Sequence, residues 1–160
     1  MLKYIQNLLS KHRVFVCILI IGALFRIIPC DKGIKDGDEF TTKLIATGIS
    51  DTAQIKENNY FTTEDLKNNN LQNIIRLTIA DNGNSLAYNI VLHYWLKVFG
   101  DSDNTARALS LISFLLFCTI LYSFILSYST KNLAYISLSF IAVNPVFIEY
   151  SYIARAYMFS

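Results

Sequence analysis

The chain alternates between apolar blocks and polar stretches, and the lengths of the blocks predict membrane-spanning helices. Residues 108–128 contain no charge. As a helix they would be about 31 Å long, enough to cross the hydrocarbon layer of roughly 30 Å. Residues 133–150 and 14–29 are two further candidates. We therefore expect an all-α polytopic membrane protein with three transmembrane helices and a helical extracytoplasmic loop, residues 31–105, between the first and second.

The first block contains Arg26, and a cation at mid-membrane costs about 3 kcal/mol. We expect Arg26 near one end of its helix, where its side chain can snorkel to the interface. The block could instead be a signal peptide, because Lys3, Lys11 and Arg13 precede its apolar core. A retained anchor fits better, since no small-x-small cleavage site follows and Arg26 interrupts the approach to Cys30.

The charge distribution predicts the orientation of the chain. Three cations precede the first block, whereas residues 31–105 carry eleven acids against seven Lys and Arg. By the positive-inside rule the N-terminus lies in the cytoplasm, and residues 31–105 lie outside together with the tail after Ile148. The net charge of +2 is small and the cations are scattered, so nucleic acid binding has no support.

The outer loop has helical patterns of its own. Thr62 resembles an N-cap, and the apolar residues that follow it recur on one helical face. Farther along, an otherwise apolar segment has a polar residue at every fourth position: Ser85, Asn89, His93 and Lys97. Such a helix can lie in the membrane interface or be buried among other helices. Gly100 should end it, and Asp101-Ser102-Asp103 should cap the second span.

Two interpretations are open for each polar residue that could carry chemistry. Asp38-Glu39 in "KDGDEFTT" can cap a short helix ending near Gly48, or provide a general base or a metal ligand at the membrane surface. His93 can be a member of the polar stripe or a ligand. Asp81 lies in a turn-forming "DNGN" stretch but could point into a site.

The C-terminal stretch "IEYSYIARAY" has the same ambiguity. Its tyrosines, including Tyr157, suit an interfacial belt, whereas Arg155 could bind a phosphate through its planar fork. The sequence has no zinc-ligand spacing, no glycine-rich phosphate loop and no nucleophile elbow. Conventional soluble enzyme chemistry is therefore not indicated.

The order of these features resembles the N-terminal part of the membrane glycosyltransferases of the GT-C fold. That group includes protein mannosyltransferases and the aminoarabinose transferases of lipid A. The similarity covers an N-terminal span, an outer acid pair, "LHYWLKVFGDSDNTARALS", a span, "AVNP" and "YSYIARAY". Because such proteins have many more spans, the resemblance implies that these 160 residues are the start of a longer chain.

The resemblance implies a function and assigns roles to residues. Asp38 corresponds to the family's catalytic carboxylate and Glu39 to its acidic neighbour. The donor would be a sugar on a polyprenyl phosphate, the acceptor a lipid, glycan or protein hydroxyl, and the location the bacterial inner membrane.

The stretch expected to contact the donor phosphate departs from the family pattern. Where many relatives have His-Pro-Pro or Lys-Pro-Pro, this chain has "DNGNSLAY". Asp81 could supply an acid there, alone or with Glu39 around a divalent metal. Arg155 or a residue beyond Ser160 would take over the phosphate contact. The rival interpretations are a non-catalytic small membrane protein and a carrier of lipid-linked sugars.

Overall fold

The computed structural model describes residues 12–28, 37–48, 70–81 and 85–154. Their regular structure is entirely helical, as predicted. The helix expected to start at Thr62 begins outside the described ranges, as does the stretch around Cys30. The helices within them are α1 (Arg13–Ile27), α2 (Gly37–Thr47), α3 (Leu71–Ala80), α4 (Leu86–Phe99), α5 (Asp103–Tyr128), α6 (Lys131–Val143) and α7 (Pro145–Tyr152).

Helices α1, α5 and α6 form an up-and-down bundle. At one end, His12 Nδ1 and Tyr122 Oη of α5 are 3.0 Å apart. At the other end, Arg26 Nη1 donates to the Ala142 carbonyl of α6 at 3.1 Å. These contacts make α1 parallel to α6 and antiparallel to α5. The apolar core of the bundle consists of Phe114, Cys118, Tyr122, Ala134 and Leu138.

Gly22 allows a close approach between the helices of this bundle. A Cβ at this position would lie 3.3 Å from Ala142 Cβ and 3.3 Å from Phe114 Cε1. Those distances are shorter than comfortable van der Waals contact, so only glycine fits without movement of its neighbours. Small residues at a helix crossing are typical of packing within membranes.

Among the helices of the described ranges, one, α5, is long and apolar enough to cross a membrane. It has 26 residues, and only 28% of its most apolar window is buried inside the protein. Helices α6 and α7 meet the same criterion only if they are counted as one span, and they are bent by 66° relative to each other. The described part of α1 has 15 residues, fewer than the roughly 20 that a helical span needs.

The bend between α6 and α7 interrupts the predicted 133–150 span at Asn144-Pro145. Proline has no backbone N–H and clashes with the preceding turn, so the α6 helix ends before it. Asn144 Oδ1 accepts a bond from Val146 N at 2.9 Å and caps the new helix. Pro145 occupies the first turn of α7, where its fixed φ is favourable.

Arg26 lies near the end of α1, as expected, but it does not snorkel. Its side chain is 1% exposed and lies beside the α6–α7 break. Its guanidinium donates to the carbonyls of Gly22 at 2.8 Å and Ala142 at 3.1 Å, donates to Ser151 Oγ, and lies 3.4 Å from the Phe114 ring centre. The Ala142 carbonyl belongs to the last turn of α6, where a helix leaves carbonyls unpaired, and the Phe114 ring adds a cation–π contact.

Helices α2, α3 and α4 and the first turns of α5 form a second group, which we name the outer group after the predicted outer loop. Helix α4 is its centre, because it contacts α2, α3 and α5. Its residues Asn89 and His93 are buried, so this part of the predicted polar stripe is buried among helices.

Gly100 ends α4 with φ +96°, and Ser102 Oγ caps α5 by accepting from Thr105 N at 3.1 Å. Both helix boundaries were predicted. The outer core consists of Ala46, Tyr88, Leu92, Leu96, Ala106, Leu109 and Ala154.

Candidate functional site

Glu39 joins three separate parts of the chain at the start of α2. Arg107 of α5 donates to it through Nε and Nη2, with each hydrogen bond 2.8 Å long. The backbone N–H of Ala154, just after α7, donates to the same carboxylate at 3.0 Å. The side chains of Glu39 and Arg107 are 2% and 4% exposed. Such a two-bond, water-excluded ion pair fixes the orientation of both groups.

A second ion pair continues the attachment of α2 to α5. Lys43 Nζ donates to Asp103 Oδ1 at 2.7 Å. Glu39 and Lys43 are four residues apart on α2, and Asp103 and Arg107 are four apart on α5, so the two pairs match along antiparallel helices. The first turns of α2 are thereby held against the first turns of α5.

We name the Glu39–Arg107–Ala154 contact the Glu39 anchor. Asp38 precedes Glu39 in the chain and is exposed. It belongs to the first turn of α2, and Thr42 Oγ1 donates to its backbone carbonyl at 2.9 Å. The exposed N–H groups of a first turn favour negative charge, so an ionised carboxylate is well placed here. The expected short helix ending near Gly48 is confirmed, with Gly48 at φ +76°. The two acids have different environments: Glu39 is inside and Asp38 is at the surface.

Tyr88 of α4 lies near the Glu39 carboxylate. Its hydroxyl is 3.2 Å from Ser110 Oγ of α5, in hydrogen-bond contact. Burial raises the pKa of Tyr88 well above its ordinary value; the Ser110 bond opposes that rise and the negative charge of Glu39 adds to it. Tyr88 therefore stays a neutral phenol beside the ion pair.

His93 holds α4 to the end of α2. Its Nδ1 is 2.8 Å from the Ala46 carbonyl. A carbonyl can only accept, so Nδ1 carries the proton in this bond and Nε2 carries the lone pair of the neutral ring. Burial lowers the pKa of His93, with the Ala46 bond opposing and Lys97 reinforcing the effect. This environment supports the interpretation of His93 as a structural member of the polar stripe.

Asp81 ends α3 and is half-buried. Helix α3 packs against both α2 and α4, so Asp81 belongs to the same outer group as Asp38. Within the described ranges, no three His, Cys, Asp or Glu side chains come together as a metal site. Both oxygens of Glu39, the other acid considered for a metal, accept bonds from Arg107.

Arg155 and Tyr157 lie outside the described residues. Ala154, the last described residue, directly precedes Arg155 in the chain, and its N–H contacts Glu39. The chain therefore reaches the Glu39 anchor immediately before the residue expected to contact phosphate.

The role of Arg107 was missed by reasoning from the sequence. Its side chain was not expected to meet Glu39, because the two residues are 68 positions apart. One signal was available: each of the two segments has an opposite-charge pair spaced by four, Glu39 with Lys43 and Asp103 with Arg107. Residues four apart lie on one face of a helix, so the two pairs can meet when the helices pack side by side.

Comparisons with known proteins do not assign the chain to a family. No family model matches it, and no curated protein and no solved structure matches it either.

Proposed function

We propose that α1, α5 and the bent pair α6–α7 cross the bacterial inner membrane, with the N-terminus in the cytoplasm and α2–α4 on the outer side. Three features support this topology. The bundle helices alternate in direction, and large apolar side chains face outward along α1, α5 and α6. Arg26 points into the bundle, the usual position of a charge within a membrane protein.

We further propose that this region is the donor-side part of a GT-C type glycosyltransferase. The reaction would move a sugar from a polyprenyl phosphate to an acceptor hydroxyl. The observation that carries the proposal is the convergence at Glu39. Three of the stretches that carry the resemblance are the acid pair, "TARALS" within the longer aromatic-rich stretch, and "YSYIA". Each contributes one partner to a single buried carboxylate contact, through Glu39, Arg107 and Ala154.

Asp38 is the proposed general base. Its carboxylate takes the proton of the acceptor hydroxyl while the hydroxyl oxygen bonds to the anomeric carbon. The bond from that carbon to the phosphate oxygen breaks on the opposite face, and the phosphate leaves with the electron pair. The anomeric configuration inverts. Glu39 does not compete for this role, because Arg107 and Ala154 occupy its oxygens.

Charge on the leaving phosphate needs a positive partner. The sequence suggested two sources, Arg155 or a divalent cation held by Glu39 and Asp81. The arrangement favours Arg155, because it directly follows Ala154 while the Glu39 carboxylate is already bonded. A guanidinium fork also suits two phosphate oxygens.

The test is to supply membranes containing the native protein with labelled polyprenyl-phosphate sugar and to measure two products. A new glycosidic bond that depends on the protein supports the transferase. Movement of the labelled donor across the membrane without a new bond would support a lipid-linked sugar carrier instead. Neither product would support the non-catalytic membrane protein.

A further inference from the structure

Two buried charges hold the stretch where the chain leaves α7, residues 151–154, which we name the exit segment. At its start, Ser151 Oγ accepts a hydrogen bond from Arg26 Nε of α1. At its end, the Ala154 N–H donates to the Glu39 carboxylate of α2 at 3.0 Å. All four of these residues are buried. The path of the main chain out of α7 is therefore held at both ends by charged side chains of earlier helices.

Arg26 also connects the two sides of the α6–α7 break. Its guanidinium donates to the Ala142 carbonyl in the last turn of α6 at 3.1 Å, whereas Ser151 lies in the last turn of α7. The Ser151 hydroxyl in turn donates to the Ile148 carbonyl at 3.2 Å, so the contact reaches into the body of α7. A guanidinium presents its donors in one rigid plane. Arg26 is therefore placed to set the 66° angle between α6 and α7.

Stability alone does not account for a charge at this position. Replacing a buried charge by a well-packed apolar residue is often neutral or stabilising, so cohesion of the bundle would not require Arg26. Arg26 donates to the backbone carbonyls of Gly22 and Ala142. Glu39 accepts from the backbone N–H of Ala154. Both charges therefore fix the course of the main chain, Arg26 where α1, α6 and α7 meet and Glu39 where the exit segment ends.

We infer that Arg26 is a positioning residue for the donor side of the proposed site. Arg155, the proposed phosphate ligand, directly follows the exit segment in the chain. Arg26 fixes where that segment begins, through Ser151, and the Glu39 contact fixes where it ends. Arg26 itself is buried, so it would act through the exit segment and not by touching the donor. The consequence for donor binding rests on the proposed function, whereas the hold on the exit segment does not.

Backbone amide exchange in detergent micelles measures whether the exit segment is held. Ser151→Ala removes the hydroxyl that joins Arg26 to α7, and Ser113→Ala is the matched control, because the Ser113 hydroxyl bonds within α5 at 2.8 Å. We expect the Ala154 amide to exchange about tenfold faster in Ser151→Ala than in the wild type or the control, with no change in α5 near Phe114. Unchanged exchange at Ala154 would overturn the inference. An equal rise at Ala154 and near Phe114 would also overturn it, because the Arg26–Ser151 bond would then only hold the bundle together.

Donor kinetics test the consequence for the proposed reaction. In folded Ser151→Ala we expect the KM for the polyprenyl-phosphate sugar to rise several-fold while the KM for the acceptor stays unchanged. A loss of stability alone would lower the amount of active protein and leave both KM values unchanged. An unchanged donor KM in a variant with a released exit segment would overturn the role of Arg26 in donor binding. Absence of transfer in the wild type would contradict the proposed function instead, and amide exchange would still decide whether Arg26 holds the exit segment.

Discussion

The Glu39 carboxylate and the Arg107 guanidinium form a buried ion pair with two hydrogen bonds of 2.8 Å each. The pair joins the first turn of α2 to the second turn of α5, and the Ala154 N–H adds the end of α7 to the same carboxylate at 3.0 Å. It leaves the adjacent Asp38 exposed at the surface. One acid of the pair is thus buried in the contact between helices, and the other lies at the surface.

Removing one member of this pair should destabilise the protein strongly. Arg107→Ala leaves the Glu39 carboxylate buried without its main partner, so we expect a loss of about 3–5 kcal/mol in the free energy of unfolding. Denaturant unfolding in detergent micelles would measure it. Asp103→Ala is the comparison, because the Asp103 side chain is 38% exposed although its partner Lys43 is 6% exposed, so we expect a smaller loss than in Arg107→Ala. Equal losses in the two variants would contradict the assignment of Glu39–Arg107 as the principal anchor.

Stability should fall in mild acid because of His93. The ordinary pKa is 6.5 and burial lowers it in the folded state, so the unfolded chain binds the proton more readily. The contribution is fully present above pH 6.5 and is lost as the pH falls from there towards the lower folded pKa. As the pH is lowered through this range, the unfolding midpoint should fall more steeply in the wild type than in His93→Gln. Parallel pH profiles would contradict this prediction.

Gly22 should tolerate little enlargement. Gly22→Leu forces a side chain between α1, Ala142 and Phe114, where even a Cβ would be at 3.3 Å from each neighbour. Overpacking of this kind costs about 1–3 kcal/mol. Gly37→Leu is the matched control, because a Cβ there meets nothing within 4 Å. Thermal unfolding in micelles should separate the two variants, and a similar midpoint for both would contradict the close packing at Gly22.

Arg26→Lys should also destabilise the bundle although it keeps the charge. The Arg26 guanidinium donates hydrogen bonds to Ser151 Oγ and to the carbonyls of Gly22 and Ala142. A lysine ammonium cannot reproduce this planar arrangement of donors. Leaving buried acceptors unpaired costs about 1–3 kcal/mol. Unfolding in micelles would measure the loss. An unchanged midpoint would contradict this prediction, because it would mean that a positive charge without the guanidinium geometry is enough for the acceptors at the α6–α7 break.

The features that could be predicted from the sequence depend on near neighbours in the chain. Gly100 ends α4 because glycine readily adopts positive φ, and Ser102 caps α5 because its hydroxyl reaches an N–H three residues on. The helical class follows from the same local patterns. Asn144-Pro145 is a local signal too, and it was underestimated: the uncharged run around it favoured a single span, but proline ends the helix there.

The candidate site was predictable only in part. The acid pair and the short helix that contains it were found, but not which acid is buried. That distinction depends on Arg107 and Ala154, which reach Glu39 only through the packing of α5 and α7. The local sequence around Asp38 and Glu39 does not distinguish the buried carboxylate from the exposed one. The fold makes them different.

The most direct test of the proposed chemistry is the rate of sugar transfer by Asp38→Asn, normalised to folded protein. The substitution is nearly isosteric and lies at an exposed position, so the Glu39–Arg107 pair and the fold should be unaffected. We predict that transfer from a polyprenyl-phosphate sugar is lost in this variant, because an amide cannot accept the hydroxyl proton, while its unfolding midpoint matches the wild type. Transfer at a rate close to that of the wild type would contradict the role of Asp38 as general base.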